Sequence, residues 1–403
     1  MREKRICFAP TDFDSKRRYS DFPAAQEGAG FKKFYPSRDF NDKIKISMKT
    51  ILITAGGLSP VGINTILSLK DFYKIVCVDA KSQSESVVPY FCKTYYEVPL
   101  ASEENSYIKK ILDICEKEKV EIILPLTIEE TLVLLANKSI FTAKGIRIAN
   151  ANTIENLKIC SDKWLTNDFL RKKGISVPSA TPVSNANDIR QNIIRFGYPK
   201  IKVVIKPRIT HGSRGFKIIT ENKDDLKLIT ELKPTDFHFI KMDYFCEIVE
   251  NQNLNALLMD YLEGDDYSIY TFCLNGEPLV ILPMKRTGLI PGMSTGGILV
   301  EDKRIIKYIS RIGKAFGFNG VINFQLKNTM PSPLLYEINT RISATTVIGR
   351  GTGINFPLFE MLLAENKIQE IENKIAEVRI KWGLKLYRVQ REIYNYEDNY
   401  YEI

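Results

Sequence analysis

From Lys49 onward, short apolar runs rich in β-branched residues alternate with amphipathic stretches of helical period. The runs are "TILIT", "KIVCVDA", "VEIILPL" and "IRIA", and the stretches between them include "GINTILSLK", "YIKKILDICEKE" and "IEETLVLLANKSIFTAK". Strands that alternate with helices in this order favour a parallel, doubly wound sheet with helices on both faces. The pattern therefore predicts a doubly wound α/β domain over residues 48–150.

The pattern changes after residue 150. The stretch "TIENLKICSDKWLTNDFLRKKGISVP" predicts a helical connector that closes at Gly174. The strands "VVIKPR", "GFKIIT", "ALLMDYL" and "DYSIYTFCLNGEPLVILPMKR" follow, and Asn275-Gly276 suits a hairpin turn with positive φ. The helix "RIIKYISRIGKAFG" and the strands "GVINFQLK" and "LLYEINTR" complete the pattern. We expect an α+β unit on a mainly antiparallel sheet over residues 151–365.

Residues 1–47 show no sustained period of two or 3.6. They are polar and basic and are interrupted by Pro, Gly, Asp and Ser. This pattern predicts a flexible N-terminal extension, although the aromatic residues of the segment leave docking onto the folded body open.

Composition narrows the classes of function. The formal net charge is +9, but Lys and Arg are interleaved with acidic residues and form no long basic run. This distribution suits nucleotides and phosphates, and we expect no nucleic-acid partner. The seven cysteines form no C-x-x-C pair and there are two histidines, which argues against a disulfide framework, a zinc ribbon and a Ser-His-Asp triad. No apolar run is long enough for a membrane span and no secretory signal is evident, so the sequence indicates a cytoplasmic protein.

A glycine turn follows the first predicted strand, in "ILITAGGLSPVGINTI". Gly56, Gly57 and Gly62 would let the backbone approach a pyrophosphate at a helix N-terminus, and Asp79 ends the second strand where an acidic residue would hold a ribose. However, the spacing is not G-x-G-x-x-G, and any strand-turn-helix needs small residues here. An NAD-dependent oxidoreductase stays open as an alternative.

Two stretches of the second half point to a nucleoside triphosphate. In "VVIKPRITHGSRGFKIIT" a strand carries Lys206, and a loop with Ser213, Arg214 and Gly215 returns to a strand. Backbone amides of such a loop can fold over phosphates, and the lysine supplies a point charge to them. The G-x-x-x-x-G-K-[ST] spacing is absent, which excludes a P-loop.

The second stretch is "LLMDYLEGDDYSIY", an apolar strand that becomes acidic. Backbone groups at Tyr261 and Leu262 could read an adenine edge, Met259 could pack on the ring, and Asp266 could accept from ribose hydroxyls. An acidic hairpin without a ligand is the structural alternative.

Hard oxygen ligands occur in "NFQLKNTMPSPLLYEINTR". Gln325 and Glu337 fall on two strands joined by a turn, and Glu337, Asn339 and Arg341 alternate on one face of the second strand. Such side chains suit Mg²⁺, and an arginine further along that face can neutralise charge on a transferred phosphoryl group. A buried polar strand without such a task would be costly.

Together these motifs resemble the ATP-grasp superfamily, in particular its carbamoyl-phosphate-synthase-like branch of carboxylate–amine ligases. The order agrees as well as the residue types: a Rossmann-like pre-domain, Asp162-Lys163, Lys206 with its glycine loop, "MDYLEGDDYS", "GVINFQ" and "EINTR". The resemblance covers residues 49–365 and implies two α+β subdomains that sandwich ATP, the smaller one a lid over residues 180–260. In addition, "KWGLKLYRVQREIY" looks like the closing strands of small ATP-grasp proteins from surface-polysaccharide and secondary-metabolite pathways, so residues 366–403 should complete or pack on this domain.

The resemblance also implies a role for each matching residue. The ATP contacts would be Lys163, Lys206, Ser213, Arg214, Gly215, Met259, Asp260, Tyr261, Leu262 and Asp266. The ligands of Mg²⁺, with Mn²⁺ as the alternative ion, would be Gln325, Glu337 and Asn339. The catalytic residues would be Arg341, beside the acylphosphate, and Arg286, before a loop over the acceptor substrate. The carboxylate substrate would lie at Gly56, Gly57 and Ser59. Two departures from the usual pattern are Thr340 in place of Pro and Asp260 in place of Glu.

The predicted function is an ATP-dependent ligase that joins a small-molecule carboxylate to an amine through an acylphosphate. A homodimer is a family-level expectation. The alternative from another class is a nucleotide-binding module that acts only within a larger assembly or as a regulator, which the basic segment 1–47 motivates.

Overall fold

The computed structural model describes residues 48–57, 60–210, 214–222, 238–290, 293–389, 392–396 and 399–402. The predicted extension 1–47 and the candidate site residues Ser59 and Ser213 lie outside the described residues, so what was predicted of them stays a prediction.

The first sheet is parallel and has five strands in the order β3-β2-β1-β4-β5. They are β1 (Thr50–Ile53), β2 (Lys74–Asp79), β3 (Tyr95–Glu97), β4 (Val120–Leu124) and β5 (Arg147–Ile148). The helices between them are α1 (Val61–Leu69), α2 (Val88–Phe91), α3 (Glu104–Glu118), α4 (Ile128–Ala136) and α5 (Lys138–Ala143). All residues of β1 are buried, because Ile51 and Ile53 face one apolar cluster while Leu52 faces another. The predicted doubly wound sheet is confirmed.

The glycine turn after β1 is set by close packing. A side chain at Gly62 would place its Cβ 1.8 Å from the carbonyl oxygen of Gly56. The amide of Gly57 donates to Asp79 Oδ2 at 2.9 Å, and the amide of Lys81 donates to Asp79 Oδ1 at 3.0 Å. Asp79, which the dinucleotide interpretation places on a ribose, thus holds the glycine turn through Oδ2 and its own following turn through Oδ1.

The connector consists of two helices, α6 (Ile154–Ser161) and α7 (Lys163–Lys172), where the sequence pattern predicted one segment. The break is at Asp162, whose carboxylate accepts from the amides of Trp164 at 2.8 Å and Leu165 at 3.3 Å. An N-terminal cap of this kind satisfies amides that a helix start leaves free, so the side chain that ends α6 also begins α7.

The second sheet is built from residues 180–260. Its strands are β6 (Ala180–Val183), β7 (Val203–Pro207), β8 (Lys217–Ile219), β9 (Phe239–Ile240) and β10 (Ala256–Asp260), in the order β6-β10-β7-β8-β9. Helices α8 (Ala186–Asn192) and α9 (Met242–Ile248) pack against it. The pairs are antiparallel except β8 with β9.

The third sheet is antiparallel and has six strands in the order β15-β14-β11-β12-β13-β16. They are β11 (Asp265–Leu274), β12 (Glu277–Ile290), β13 (Met293–Leu299), β14 (Gly320–Asn328), β15 (Leu334–Asn339) and β16 (Lys385–Tyr387). Asn275 and Gly276 have φ of 49° and 82°, as the predicted hairpin turn requires. Helices α10 (Lys303–Phe316), α11 (Ile348–Thr352), α12 (Phe356–Ala364) and α13 (Ile368–Ala376) accompany the sheet, and a hairpin of β17 (Ile393–Tyr396) and β18 (Asn399–Glu402) follows.

Helix α12 joins the first and third sheets through one apolar cluster. Its residues from Phe356 to Leu362 are all buried. The cluster contains Ile51 of β1, Phe272 of β11 and Val321 of β14 as well as residues of this helix. The shared core holds the glycine turn and strands β11 and β14 of the third sheet in a fixed relation.

The six described cysteines are buried free thiols. Within the described ranges, no helix combines the length and the hydrophobicity that crossing a membrane requires.

Replacing Gly62 by alanine tests the packing of the glycine turn. We expect Gly62→Ala to lower the free energy of unfolding by about 2–4 kcal/mol, because the added Cβ collides with backbone that cannot move aside. Chemical denaturation measures this change. Gly145→Ala is the matched control: it has φ of +75° but nothing within 4 Å of the added Cβ, so only a backbone cost remains, of about 1 kcal/mol. Equal losses in the two variants would contradict the argument.

Candidate functional site

Polar side chains of β14 and β15 face one another on the third sheet. Gln325 pairs with Glu337 across the strands, and Asn323 pairs with Asn339. Asn339 Nδ2 donates to Glu337 Oε1 at 3.2 Å. One carboxylate and neighbouring side-chain amides form the hard-oxygen set that Mg²⁺ accepts in proteins, so Gln325, Glu337 and Asn339 fit this ion chemically. Arg341 was predicted on the same strand and lies just beyond it, because β15 ends at Asn339.

Two lysines from other parts of the chain lie in the electrostatic field of the same carboxylate. Lys206 on β7 is 7% exposed, and its Nζ donates to the carbonyl of Tyr336 at 3.3 Å. Lys163 opens α7, and its Nζ donates to the carbonyl of Thr210 at 2.9 Å. Burial and the charge of Lys163 lower the pKa of Lys206 to about 7. Burial also lowers the pKa of Lys163, and Glu337 opposes both shifts.

Arg341 is the third cation beside Glu337. Its Nη1 donates to the carbonyl of Ile342 at 3.3 Å. Burial lowers its pKa, while the carboxylates of Glu337 and of Glu129 in α4 act in the opposite direction. Among the described residues, none of the three cations has a carboxylate within salt-bridge distance; each donates to a backbone carbonyl. Positive charge therefore exceeds negative charge around Glu337, which favours a polyanionic ligand.

An ion pair that the sequence analysis did not identify holds the segment that carries Lys163 next to the segment that carries Lys206. Arg208 Nη2 donates to Asp162 Oδ2 at 2.6 Å, and its Nε donates to Oδ1 at 3.3 Å. The amide of Lys163 donates to the carbonyl of Arg208 at 3.1 Å. The end of β7 is thus clamped to the start of α7. In the sequence, Arg208 is visible as an arginine two residues after Lys206. The residues around it do not identify Asp162 as its partner.

A small cavity lies where α7, β7 and β10 meet β15. Its lining combines the two lysines with apolar and aromatic groups: Lys163, Thr166, Asn167, Leu170, Val177, Lys206, Leu257, Met259, Leu335 and Tyr336. The predicted adenine neighbour Met259 therefore lies on the same cavity as the predicted phosphate contacts.

The predicted adenine hinge begins at the end of β10. Asp260 is engaged with the chain: its amide donates to the carbonyl of Ser179 at 3.1 Å, and its Oδ2 accepts from the amide of Ser179 at 2.8 Å. Tyr261 and Leu262 follow the strand and are half-buried. The carboxylate at position 260 thus holds β6 against β10, and its contact with ATP stays a prediction.

Asp266 lies in a network that orients Arg286. Tyr336 Oη donates to Asp266 Oδ1 at 2.7 Å, and Lys327 Nζ is 2.9 Å from Asp266 Oδ2. Arg286 Nη1 donates to Tyr336 Oη at 3.3 Å, and its Nε donates to Ser294 Oγ. Asp266 therefore positions a predicted catalytic arginine through protein contacts, and its predicted role at the ribose stays a prediction.

A second arginine missed by the sequence analysis follows β16. The amide of Arg388 donates to the carbonyl of Thr295 at 2.9 Å, and its Nη2 donates to the carbonyl of Ala344. Its Nη1 is buried and has no hydrogen-bond partner among the described residues. Burial lowers the pKa of Arg388, while Tyr270 beneath it opposes the shift. An unfilled guanidinium donor is suited to an anion. In the sequence, Arg388 is visible only as a basic residue in the predicted closing strand. No neighbouring motif indicates that it belongs to a site.

The remaining predicted residues lie in the two turns. Gly56 and Gly57 follow β1 at the carboxyl edge of the first sheet, and the carboxylate of Glu129 connects the first domain electrostatically to Arg341. Arg214 is exposed, and Gly215 has φ of +70° with Pro207 packed where a Cβ would point. The structure gives neither turn a contact that tests its predicted ligand.

Two family models match the chain. Residues 252–386 match the family described as "ATP-grasp in the biosynthetic pathway with Ter operon". Residues 51–149 match "PylC-like, N-terminal domain". The first match covers β10 of the second sheet and the third sheet with its helices, and the second match covers the first sheet.

The curated relatives include large chains of carbamoyl phosphate synthase. The chain is 24% identical over 307 residues to that of Clostridium acetobutylicum, covering 73% of this chain and 26% of the relative. It is 25% identical over 324 residues to that of Thermotoga petrophila, covering 75% and 27%. The chain thus spans about a quarter of the length of these relatives.

Solved structures share the fold. Biotin carboxylase from Campylobacter jejuni, in complex with β-γ-ATP, aligns with a TM-score of 0.58 at 16% identity over 79% of this chain and 71% of that one. L-amino acid ligase from Bacillus licheniformis aligns with a TM-score of 0.56 at 14% identity, over 82% and 77%. The ADP complex of the N5-carboxyaminoimidazole ribonucleotide synthetase purK aligns with a TM-score of 0.60 at 14% identity, over 79% and 77%.

Replacing Lys206 tests the charge balance of the cavity. Its folded-state pKa of about 7 lies below the ordinary lysine value, so between these values the unfolded chain binds more protons and stability rises with pH. Near pH 6 and without nucleotide, we expect the free energy of unfolding of Lys206→Met to exceed that of the wild type by on the order of 2 kcal/mol. The variant should therefore unfold at a higher temperature. The difference should shrink as the pH rises towards about 10.

Thermal unfolding across this pH range measures the effect. Lys200→Met, at an exposed position of the same domain, is the control and should show no such trend. A Lys206→Met variant that is less stable than the wild type near pH 6 would show that the ammonium is already neutralised in the free protein.

Proposed function

We propose, on the premise that this chain is an ATP-grasp protein, that it is an ATP-dependent carboxylate–amine ligase. A carboxylate oxygen of the acid attacks the γ-phosphorus of ATP, and the bond to the leaving ADP breaks. The amine nitrogen then attacks the carbonyl carbon of the acylphosphate, phosphate leaves, and the nitrogen loses a proton. No covalent intermediate with the protein is needed, so positioning and charge are what the chain must supply.

The observation that carries the proposal is the charge imbalance around Glu337. Three cations from separate segments, Lys163, Lys206 and Arg341, are all influenced by this carboxylate, and each donates to a backbone carbonyl. Asp162 also acts on Lys163 and Glu129 on Arg341, but neither is within salt-bridge distance of the cation it acts on. A triphosphate would supply the missing negative charge and restore the lowered pKa values of the lysines. Lys163, Lys206 and Met259 line the same small cavity, which supports placing the phosphates and the adenine of one nucleotide near them.

A magnesium ion fits the oxygen-bearing residues. Gln325, Glu337 and Asn339 would hold it, with phosphate oxygens completing its shell. When bound, the ion would offset negative charge on the phosphates. The chain's own contribution is to keep these side chains in register on β14 and β15, with Glu337 oriented by Asn339.

Two arginines, Arg286 and Arg388, support the proposal that an anionic substrate binds beside the ATP site. Arg286 is held by Ser294 and by the hydroxyl of Tyr336, and Arg388 has a buried donor without a partner. We assign the substrate carboxylate or its acylphosphate to these groups together with the glycine turn at Gly56 and Gly57. Arg341 would steady the transferred phosphoryl group.

The pathway is proposed from the family description. The matching family is described as belonging to the biosynthetic pathway with the Ter operon, and one structural neighbour is an L-amino acid ligase. We therefore propose an amide-forming step in the biosynthesis of a small secondary metabolite or a surface polysaccharide, acting in the cytoplasm.

Release of ADP from ATP in a screen of carboxylates crossed with amines tests the function. We expect turnover with at least one pair, and Glu337→Gln should lower kcat by about 10²-fold or more because the charge at the metal and phosphates is lost. Glu277→Gln, at an exposed position on β12, should leave kcat unchanged. Arg388→Met should raise KM for the acid by about tenfold, the effect of losing one charge-assisted contact.

The other outcomes separate the competing functions. Absence of ATP binding by calorimetry in the presence of Mg²⁺ would refute the ligase. Tight Mg²⁺–ATP binding without turnover on any pair would favour the binding module. Tight NAD(H) binding without ATP dependence would favour the oxidoreductase.

A further inference from the structure

A second cleft lies between the edge of the first sheet and α12. Its volume is about 500 Å³, and its walls include Lys138, Ile146, Arg147, Asn150, Glu360 and Leu363. None of the predicted site residues lines it. The volume lies in the range of small-molecule sites, which combine apolar walls with a few polar groups.

The base of the cleft carries a buried carboxyl group. Glu360 is 6% exposed, and its Oε2 accepts from the amide of Val321 at 2.7 Å. Its Oε1 has no hydrogen-bond partner among the described residues. The carboxyl group occupies the place of a side chain at Gly320, where a Cβ would lie 2.6 Å from Oε2. Burial raises the pKa of Glu360 to about 7, as expected for a carboxyl group without a cationic partner.

The rim of the cleft has the opposite charge. Lys138 begins α5 and Arg147 begins β5, and both side chains are exposed. Arg147 Nη1 donates to the carbonyl of Ala364 at 3.3 Å, which directs this guanidinium towards the end of α12. Ile146 and Leu363 supply apolar surface in the walls. The cleft thus offers an acceptor at its base and cations at its mouth.

We propose that this cleft binds a small zwitterion of the amino-acid class, with its ammonium group on Glu360 and its acidic group on Lys138 and Arg147. An ammonium ion supplies the donors that Oε1 lacks and the positive charge that the buried carboxylate lacks. The acidic end of the same molecule remains near solvent, where Lys138 and Arg147 meet it. The assignment is independent of the reaction proposed for the Glu337 site.

The binding site is also connected to the strands of the Glu337 site. Val321, held by Glu360, lies at the start of β14, four residues before Gln325. Asn150 lines the cleft, and its Nδ2 donates to the carbonyl of Thr340 at 3.1 Å, next to Arg341. A ligand in the cleft therefore contacts groups that position the start of β14 and the end of β15.

Calorimetric titration of the full chain tests the site, in the absence of ATP and Mg²⁺. The probes are L-alanine, β-alanine, γ-aminobutyrate and 6-aminohexanoate, whose charges are increasingly far apart. Propylamine and propionate are the controls with a single charge. We expect one zwitterion to bind and both single-charge probes to bind at least about tenfold more weakly, since each loses one charged contact.

Variants locate the binding. Glu360→Gln keeps an acceptor for the amide of Val321 but removes the charge, and we expect about tenfold weaker binding of the zwitterion. Arg147→Ala, at the exposed rim, should weaken it as well and gives a result even where Glu360→Gln does not fold. Lys144→Ala is the matched control, because Lys144 is exposed beside α5 but does not line the cleft.

Several results would overturn the proposal. One is a failure of all four zwitterions to bind the wild type. Another is binding that Arg147→Ala and Glu360→Gln leave unchanged, which would place the amino acid at the Glu337 site instead. A stable dimer in size-exclusion chromatography that excludes every probe would assign this face to a second copy of the chain.

Discussion

The electrostatic field of Glu337 is the constraint on which the site depends. This single carboxylate acts on Lys163, Lys206 and Arg341, which come from a connector helix, the second sheet and the end of the third sheet. Removing such cations from water costs free energy that Glu337, with Asp162 near Lys163 and Glu129 near Arg341, does not fully offset, as the lowered pKa values indicate. The arrangement is therefore incomplete without an anionic ligand, and the triphosphate of the proposed ligase reaction would supply one.

The charged groups of the site are held in place by contacts that other residues of the fold make. The ion pair of Asp162 with Arg208 clamps the start of α7 to the end of β7, and so places the two lysines side by side. Pairing of β14 with β15 places Gln325 opposite Glu337. The apolar cluster around α12 joins the first and third sheets and fixes them relative to each other. Since these supports are already formed in the free protein, binding need not order them.

Sequence periodicity predicted the elements well because each rests on local information. The alternation in residues 48–150 reports burial on both faces of a parallel sheet, and Asn275-Gly276 reports a turn with positive φ. Candidate site residues on strands could be proposed from spacing alone, as with Gln325 and Glu337. The break at Asp162, the end of β15 before Arg341, and the positions of Arg208 and Arg388 depend on partners distant in sequence. A lone arginine shows in sequence neither what it pairs with nor that one of its donors is left unfilled.

The glycine turn shows how a local motif acquires its meaning from its neighbours. The residues that suggested a dinucleotide are explained by packing: Gly62 admits the carbonyl of Gly56, and Asp79 accepts from two backbone amides. A carboxylate occupied in this way has less capacity to hold a ribose, so the strand-turn-helix keeps its outline while losing the feature most specific to a dinucleotide. At the carboxyl edge of the first sheet, the backbone at Gly56 and Gly57 can still approach an anion. Lys163, Lys206 and Arg341 give the rest of the site an excess of positive charge. In the proposed ligase, this turn is better suited to the acid that receives the phosphoryl group than to the nucleotide that donates it.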